Sequence, residues 1–90
     1  MQQPMPTVSD VVLTQLSLWG IERMYGVAGD AVLPLLHATS QQSSIQFIAT
    51  RHESAAAFMA SAEGKCTGRI AACIGTSGPG LVNMLNGIAD

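Results

Sequence analysis

The feature that most limits the fold is the run from Ile45 to Asp90, where short apolar segments alternate with helical ones across turns of glycine and small polar residues. Ile45–Thr50 and Arg69–Ile74 are short and mainly apolar, as strands of a buried parallel sheet are. Between them, Glu53–Lys65 is rich in Ala and Met and reads as a helix, with Gly64 weakening its end and Lys65–Gly68 as the turn. Gly75-Thr76-Ser77-Gly78-Pro79-Gly80 follows the second of these strands, and Pro79 suits the first turn of a further helix running into Asp90. Strands joined through helices by short connections lie parallel. Both turns then open on the carboxyl edge of the sheet, where ligands bind, so Glu53 and the glycine turn face one crevice.

The preceding residues extend the same pattern. Residues 1–6, with Pro4 and Pro6, form a leader, and residues 7–90 form one incomplete domain. Thr7-x-x-Asp10 has capping-box spacing for a first helix, and Val8, Val12, Leu16 and Trp19 make an apolar stripe along it. Gly20 is a suitable C′ residue. Met24–Val27 reads as a strand, and Gly26–Asp30 turns the chain into a helix over Ala31–Ala38 with Asp30 as N-cap and Pro34 near the first turn. Thr39–Ser44 is a polar loop. The predicted class is α/β: a partial doubly wound parallel sheet, three strands with flanking helices, equivalent to half a domain.

Charge narrows the function. Charged residues make up only 11% of the chain, against about 25% in an ordinary soluble protein. Ala31–Thr50 and Ile70–Ala89 contain no Asp, Glu, Lys or Arg. A chain this short cannot bury both stretches in its own core, so further chain or a partner is expected to cover them. A net charge of −2 with scattered Arg23, Arg51, Lys65 and Arg69 excludes a nucleic-acid surface. The longest apolar stretch is interrupted by Pro34, His37 and Gln41–Ser44, so no transmembrane segment is expected. The amino terminus lacks the basic start and apolar core of a signal peptide. Cys66 and Cys73 lack metal-ligand spacing and read as reduced, structural cysteines of a cytoplasmic protein.

Taken singly, the candidate residues each have two readings. Glu53 in the first turn of a helix is stabilised by the macrodipole whatever its function. The small residues Ser54–Ala57 beside it also leave room for a flat ligand with which the carboxyl can share a proton. The Gly75–Gly80 turn is either an anion-binding loop or a tight strand–helix packing turn; it is neither a Walker loop nor GxGxxG. Gly26–Gly29 holds the equivalent place after the first strand. His52 is either a catalytic base or a hydrogen-bonded core residue, and Trp19 reads as a core anchor.

The combination is more specific. Tyr25-Gly26-Val27-Ala28-Gly29-Asp30, Arg51-His52-Glu53, Thr67-Gly68, Gly75-Thr76-Ser77-Gly78-Pro79-Gly80 and Asn86-Gly87-Ile88-Ala89-Asp90 occur in one order and spacing. In these motifs the chain resembles the amino-terminal part of the pyrimidine-binding domain of thiamine-diphosphate-dependent enzymes of the pyruvate oxidase and acetolactate synthase group. The resemblance implies that Glu53 hydrogen-bonds the pyrimidine ring nitrogen of thiamine diphosphate and favours its imino tautomer, so that the cofactor can take part in decarboxylating a 2-oxo acid such as pyruvate. It further implies that Val27, Ala28 and Gly29 approach the aminopyrimidine through their backbone, while Thr76, Pro79 and Asn83 line the same pocket. Mg2+ and the diphosphate, and FAD where one is bound, would be held by parts of a parent protein absent here. The Gly75–Gly80 loop is therefore not the diphosphate site.

Ser54 follows the glutamate where acetolactate synthases tend to have Gln and pyruvate oxidases Glu, and Ala28 stands where relatives often have a larger residue. The balance leans to pyruvate oxidase, with acetolactate synthase second. The expectation is an amino-terminal fragment that is inactive alone and belongs to a homo-oligomeric enzyme, a dimer or tetramer. The alternatives are a catalytically silent half-domain that acts as an assembly partner, and a nucleotide-binding Rossmann fragment.

Overall fold

The computed structural model describes residues 6–29, 32–76 and 78–90. The leader up to residue 5, Asp30, Ala31 and Ser77 lie outside the described residues; the N-cap of the second helix is Val32, not Asp30 as expected. In chain order the elements are α1 (Val8–Leu18), β1 (Arg23–Gly26), α2 (Leu33–Ser40), β2 (Gln46–Ala49), α3 (Glu53–Thr67), β3 (Ala72–Ile74), α4 (Pro79–Asn83) and α5 (Leu85–Ala89). The three strands form one parallel sheet in the order β2-β1-β3. Tyr25 in the central strand lies opposite Ile48 and Cys73, and Gly26 lies opposite Ala49 and Ile74.

This order fixes where the helices go. The chain steps from β1 to β2 through α2, then crosses back over β1 through α3 to reach β3. Right-handed crossovers in opposite directions place α2 and α3 on opposite faces. Packing agrees: Met24 joins Leu13 of α1 and Ala38 of α2 in the core, with Ile45, Phe47 and Ala72. The next residue, Tyr25, points to the other face and bonds α3. The α5 helix packs on α3, so the connections leaving β1 and β3 diverge to opposite faces. A crevice opens where they part.

Local chemistry explains several boundaries. The Thr7–Asp10 capping box forms, with the Thr7 amide donating to Asp10 Oδ2 at 2.9 Å and the Asp10 amide donating to Thr7 Oγ1 at 3.2 Å. Gly20 takes a left-handed φ of +88° after α1. The third helix outlasts its expected end by two residues, because Gly64 is tolerated inside it and Gly68 (φ +73°) supplies the C-cap. The predicted polar loop is built around Gln42. Its side-chain amide donates to the Thr39 and Ile45 carbonyls and accepts from the Ser44 and Ile45 amides, which delivers Ile45 into the core.

Three further expectations are corrected. Of the α1 stripe, Leu16 packs on the core beside the buried Leu13, while Val8, Val12 and Trp19 are exposed. This helix carries apolar residues on both sides, so periodicity could not choose between them, and contact with α2 does. Trp19 is the exposed C-cap residue of α1, not a core anchor. The final helix is two short ones: the Met84 amide turns back to the Leu81 carbonyl at 3.1 Å, while the buried Met84 side chain packs toward Gly75. Gly87 then lies so close to Ala57 that a side chain there would overlap it.

A buried polar cluster pins α3 to the sheet. The Tyr25 hydroxyl donates to Glu63 Oε1 at 2.7 Å, and Arg23 donates to the same oxygen at 3.3 Å. Arg23 and Tyr25 are two apart on β1 and share a face. Burial pushes the Tyr25 phenol above its ordinary 10.0, the Glu63 hydrogen bond and charge push it further, and Arg23 opposes them. A group whose folded pKa is raised contributes stability that is full below its unfolded value and is lost as pH rises through the folded one. The contribution is thus intact at neutrality and disappears only in alkali. Tyr25 is the sole tyrosine, so ultraviolet phenolate absorbance reports it directly. The midpoint should lie above that of free tyrosine and fall toward it in Glu63→Gln; an ordinary midpoint in the native protein would contradict this cluster.

Candidate functional site

The site is assembled at the carboxyl ends of the strands, starting from Thr50. Its amide donates to the Gly26 carbonyl at 2.7 Å, and its hydroxyl donates to the His52 carbonyl at 2.9 Å. His52 is the N-cap of α3: its Nδ1 accepts the Ser54 amide at 3.1 Å, with the Ser54 hydroxyl 2.8 Å away. Glu53 is therefore the first residue of α3, held between two anchored neighbours and close to the end of β1. His52 is exposed, so it is not the core residue considered from sequence.

The turns after β1 and β3 meet beside it. A Cβ on Gly26 would overlap Ile74, and one on Gly29 would fall 2.7 Å from Thr76 Cγ2. Thr76 turns its methyl to Gly29 and its hydroxyl toward Gly80. A Cβ on Gly80 would lie 3.4 Å from Glu53 Oε1 and 3.5 Å from Thr76 Oγ1. Glu53, Thr76, Gly29 and Gly80 thus converge. The other site residues read from sequence border this cluster: Val27 is half-buried and Ala28 exposed on the turn after β1, while Pro79 and Asn83 are exposed at the two ends of α4. No hydrogen bond joins their side chains to Glu53 among the described residues.

Gly80 was not among the residues singled out from sequence. Its signal is position: inside a helix with an ordinary φ, glycine has no conformational purpose, which leaves space as its reason.

The carboxylates separate Glu53 from the rest. Asp10 is engaged by the Thr7 cap, Glu22 pairs with Arg69, Glu63 with Arg23 and Tyr25, and Asp90 with Lys65 and Ser61. Glu53 is half-buried and has no such partner among the described residues. Other features offer less. A cleft of about 270 Å³ between α1 and α2 is lined by Asp10, which is already committed to its cap. Burial pushes the Cys73 thiol up, away from a reactive thiolate, and both cysteines are free. No group of three or more His, Cys, Asp or Glu residues suited to a metal occurs among the described residues.

Comparison with known proteins decides the family. The family model described as "Thiamine pyrophosphate enzyme, N-terminal TPP binding domain" matches residues 6–90. The chain belongs to this family. Among its relatives, the pyruvate oxidase of Lactiplantibacillus plantarum is 36% identical over 80 residues, covering 88% of this chain and 13% of the relative. The acetolactate synthase large subunit of Lactococcus lactis subsp. lactis is 40% identical over 82 residues, covering 91% and 14%. An uncharacterized 42.6 kDa protein of Pseudomonas amyloderamosa is 41% identical over 83 residues, covering 92% and 21%. The chain spans about a fifth or less of the length of these relatives. The three-stranded parallel sheet with flanking helices is consistent with part of the family's N-terminal domain.

The close approach at Gly80 yields a test. Gly80→Val would drive a branched side chain into the Glu53 carboxylate and Thr76, an overpacking of about 1–3 kcal/mol. In the complete protein, titration calorimetry should show thiamine diphosphate affinity weakened about tenfold or more, with Gly80→Ala milder. Equal affinity in Gly80→Val and the native protein would remove Gly80 from the site.

Proposed function

We propose that this chain contributes the pyrimidine-binding side of a thiamine-diphosphate enzyme that decarboxylates a 2-oxo acid, with pyruvate as substrate, and that the enzyme is of the pyruvate oxidase or acetolactate synthase type, the pyruvate oxidase reading being put first. The observation that carries the reading is the Glu53 carboxylate, without a hydrogen-bond or ion-pair partner among the described residues and set at the meeting point of two glycine turns. The residues fit the cofactor's aminopyrimidine. With no side chains at Gly29 and Gly80, Thr76 and the Glu53 carboxylate stand directly against the two glycine turns, and Ala55–Ala57 keep the adjoining helix slim.

When bound, thiamine diphosphate supplies the electron sink that makes loss of carbon dioxide from a 2-oxo acid feasible. The chain's own part is position and one proton. Glu53 would share a proton with a ring nitrogen, the backbone of Val27–Gly29 would flank the ring, and Thr76, Pro79 and Asn83 would border it. Residues 7–90 are read as an incomplete domain. Magnesium, and FAD where one is used, fall to other parts of a complete protein, which is proposed to be a cytoplasmic homo-oligomer. No helix among the described residues is long and apolar enough to cross a membrane.

A second reading rests on the surface. Leu81, Val82, Leu85 and Ile88 of α4 and α5 are all more than half exposed. Such a patch suits an assembly surface, so the chain alone would pair with complementary chain before doing any chemistry.

In the complete protein, Glu53→Gln should leave the fold and cofactor binding largely intact. It should slow exchange of the cofactor's thiazolium proton, and turnover of pyruvate, by about 10²–10⁴. Unchanged exchange and turnover would remove Glu53 from the chemistry.

A further inference from the structure

We propose that His52 is a positioning residue for Glu53, and that it holds the first turn of α3 only while its imidazole is neutral. The inference rests on the reading of Glu53 given above.

The chemistry begins with donors. The Ser54 amide is a donor and nothing else, and it reaches Nδ1 at 3.1 Å. Nδ1 must then present its lone pair, which puts the ring proton on Nε2. The Ser54 hydroxyl, 2.8 Å away, shares that lone pair as a second donor. N-caps are usually Ser, Thr, Asp or Asn, whose oxygens remain acceptors at neutral pH. An imidazole keeps an acceptor nitrogen only while it is unprotonated. Once protonated, both its nitrogens are donors, and Nδ1–H would confront the Ser54 N–H.

The place of this cap makes it matter. The His52 backbone is extended (φ −145°, ψ 144°), as an N-cap requires, and its carbonyl is held by the Thr50 hydroxyl at 2.9 Å and the Ala56 amide at 3.3 Å. Thr50 in turn is fixed to Gly26, beside the glycine turn. Glu53 is the single residue between the His52 carbonyl anchor and the Ser54 amide that the ring holds. Losing the ring's bond frees the Ser54 side of that clamp while the Thr50 side remains. Glu53 then swings with the first turn of α3, and its distance from Thr76 and Gly80 is no longer set. The charges facing the ring are few. Arg51 and Glu53 flank it in sequence, the positive end of α3 lies beneath it, and no charged side chain from another element is bonded to it among the described residues.

The test combines a spectroscopic readout that needs no cofactor with a pH profile that does. Nitrogen NMR of the complete protein, taken near pH 8, should show His52 as the Nε2–H tautomer. The protection factor of the Ser54 amide, its exchange corrected for the intrinsic pH dependence of amide exchange, should fall about fivefold or more once acid protonates the imidazole. His52→Asn keeps a side-chain acceptor. It should retain the Ser54 protection, restore the rate of thiazolium proton exchange, and lose the acid limb assigned to the imidazole. His52→Ala should lose protection at every pH and slow that exchange without raising KM for pyruvate. An Nδ1–H tautomer, or the same acid limb in His52→Asn as in the native protein, would overturn the proposal. Glu53→Gln serves as the control: if it leaves exchange unchanged, the reading of Glu53 fails, while the tautomer and Ser54 measurements still decide the cap.

Discussion

Close backbone approach at the carboxyl end of β1 is the constraint on which the rest depends. Gly26 sits against Ile74 and Gly29 against Thr76 more closely than a Cβ would allow, and Gly80 sits where a Cβ would just touch Glu53. The sheet order brings these segments together, since the connections leaving β1 and β3 diverge to opposite faces and leave their strand ends uncovered. Glycine converts that topology into a site. With larger residues β1 could not approach β3 at Ile74, and the two turns beside Glu53 would stand apart.

Two polar devices hold this geometry from outside. At the near end, Thr50 joins the tip of β1 to the entrance of α3 through Gly26 and His52. At the far end, Glu63 gathers Tyr25 and Arg23, so α3 is tied to β1 both near Glu53 and ten residues further on. The Arg23–Glu63 pair keeps its arginine partly exposed and adds little net stability, but together with the Tyr25 bond it ties α3 to β1. The helix that presents the carboxylate is thus fixed along its length, while the face formed by α4 and α5 stays apolar and exposed.

Much of this was legible in the sequence. The alternation of strands and helices, the parallel sheet, the capping box at Thr7 and the placing of Glu53 in a first helical turn all follow from periodicity and turn chemistry. What was missed depends on contacts between distant residues. Glu63 reads as one more polar residue on a helix until Tyr25 and Arg23 are brought to it across forty positions or nearly so. The inner face of α1 was misread because apolar residues occupy both of its sides, so Leu13 is chosen by its neighbours in α2. His52 offered no sign of capping, since imidazole is an uncommon N-cap and only coordinates reveal its bond to Ser54.

The central claim is that Glu53 meets the pyrimidine of thiamine diphosphate beside Gly29 and Gly80. A crystal structure of the complete protein with that cofactor tests it most directly. The account predicts a Glu53 carboxylate oxygen at hydrogen-bonding distance, about 2.6–3.2 Å, from a pyrimidine ring nitrogen, with the ring beside Gly29 and Thr76. A ring nitrogen bonded to water or to another side chain, with Glu53 turned to solvent, would contradict it.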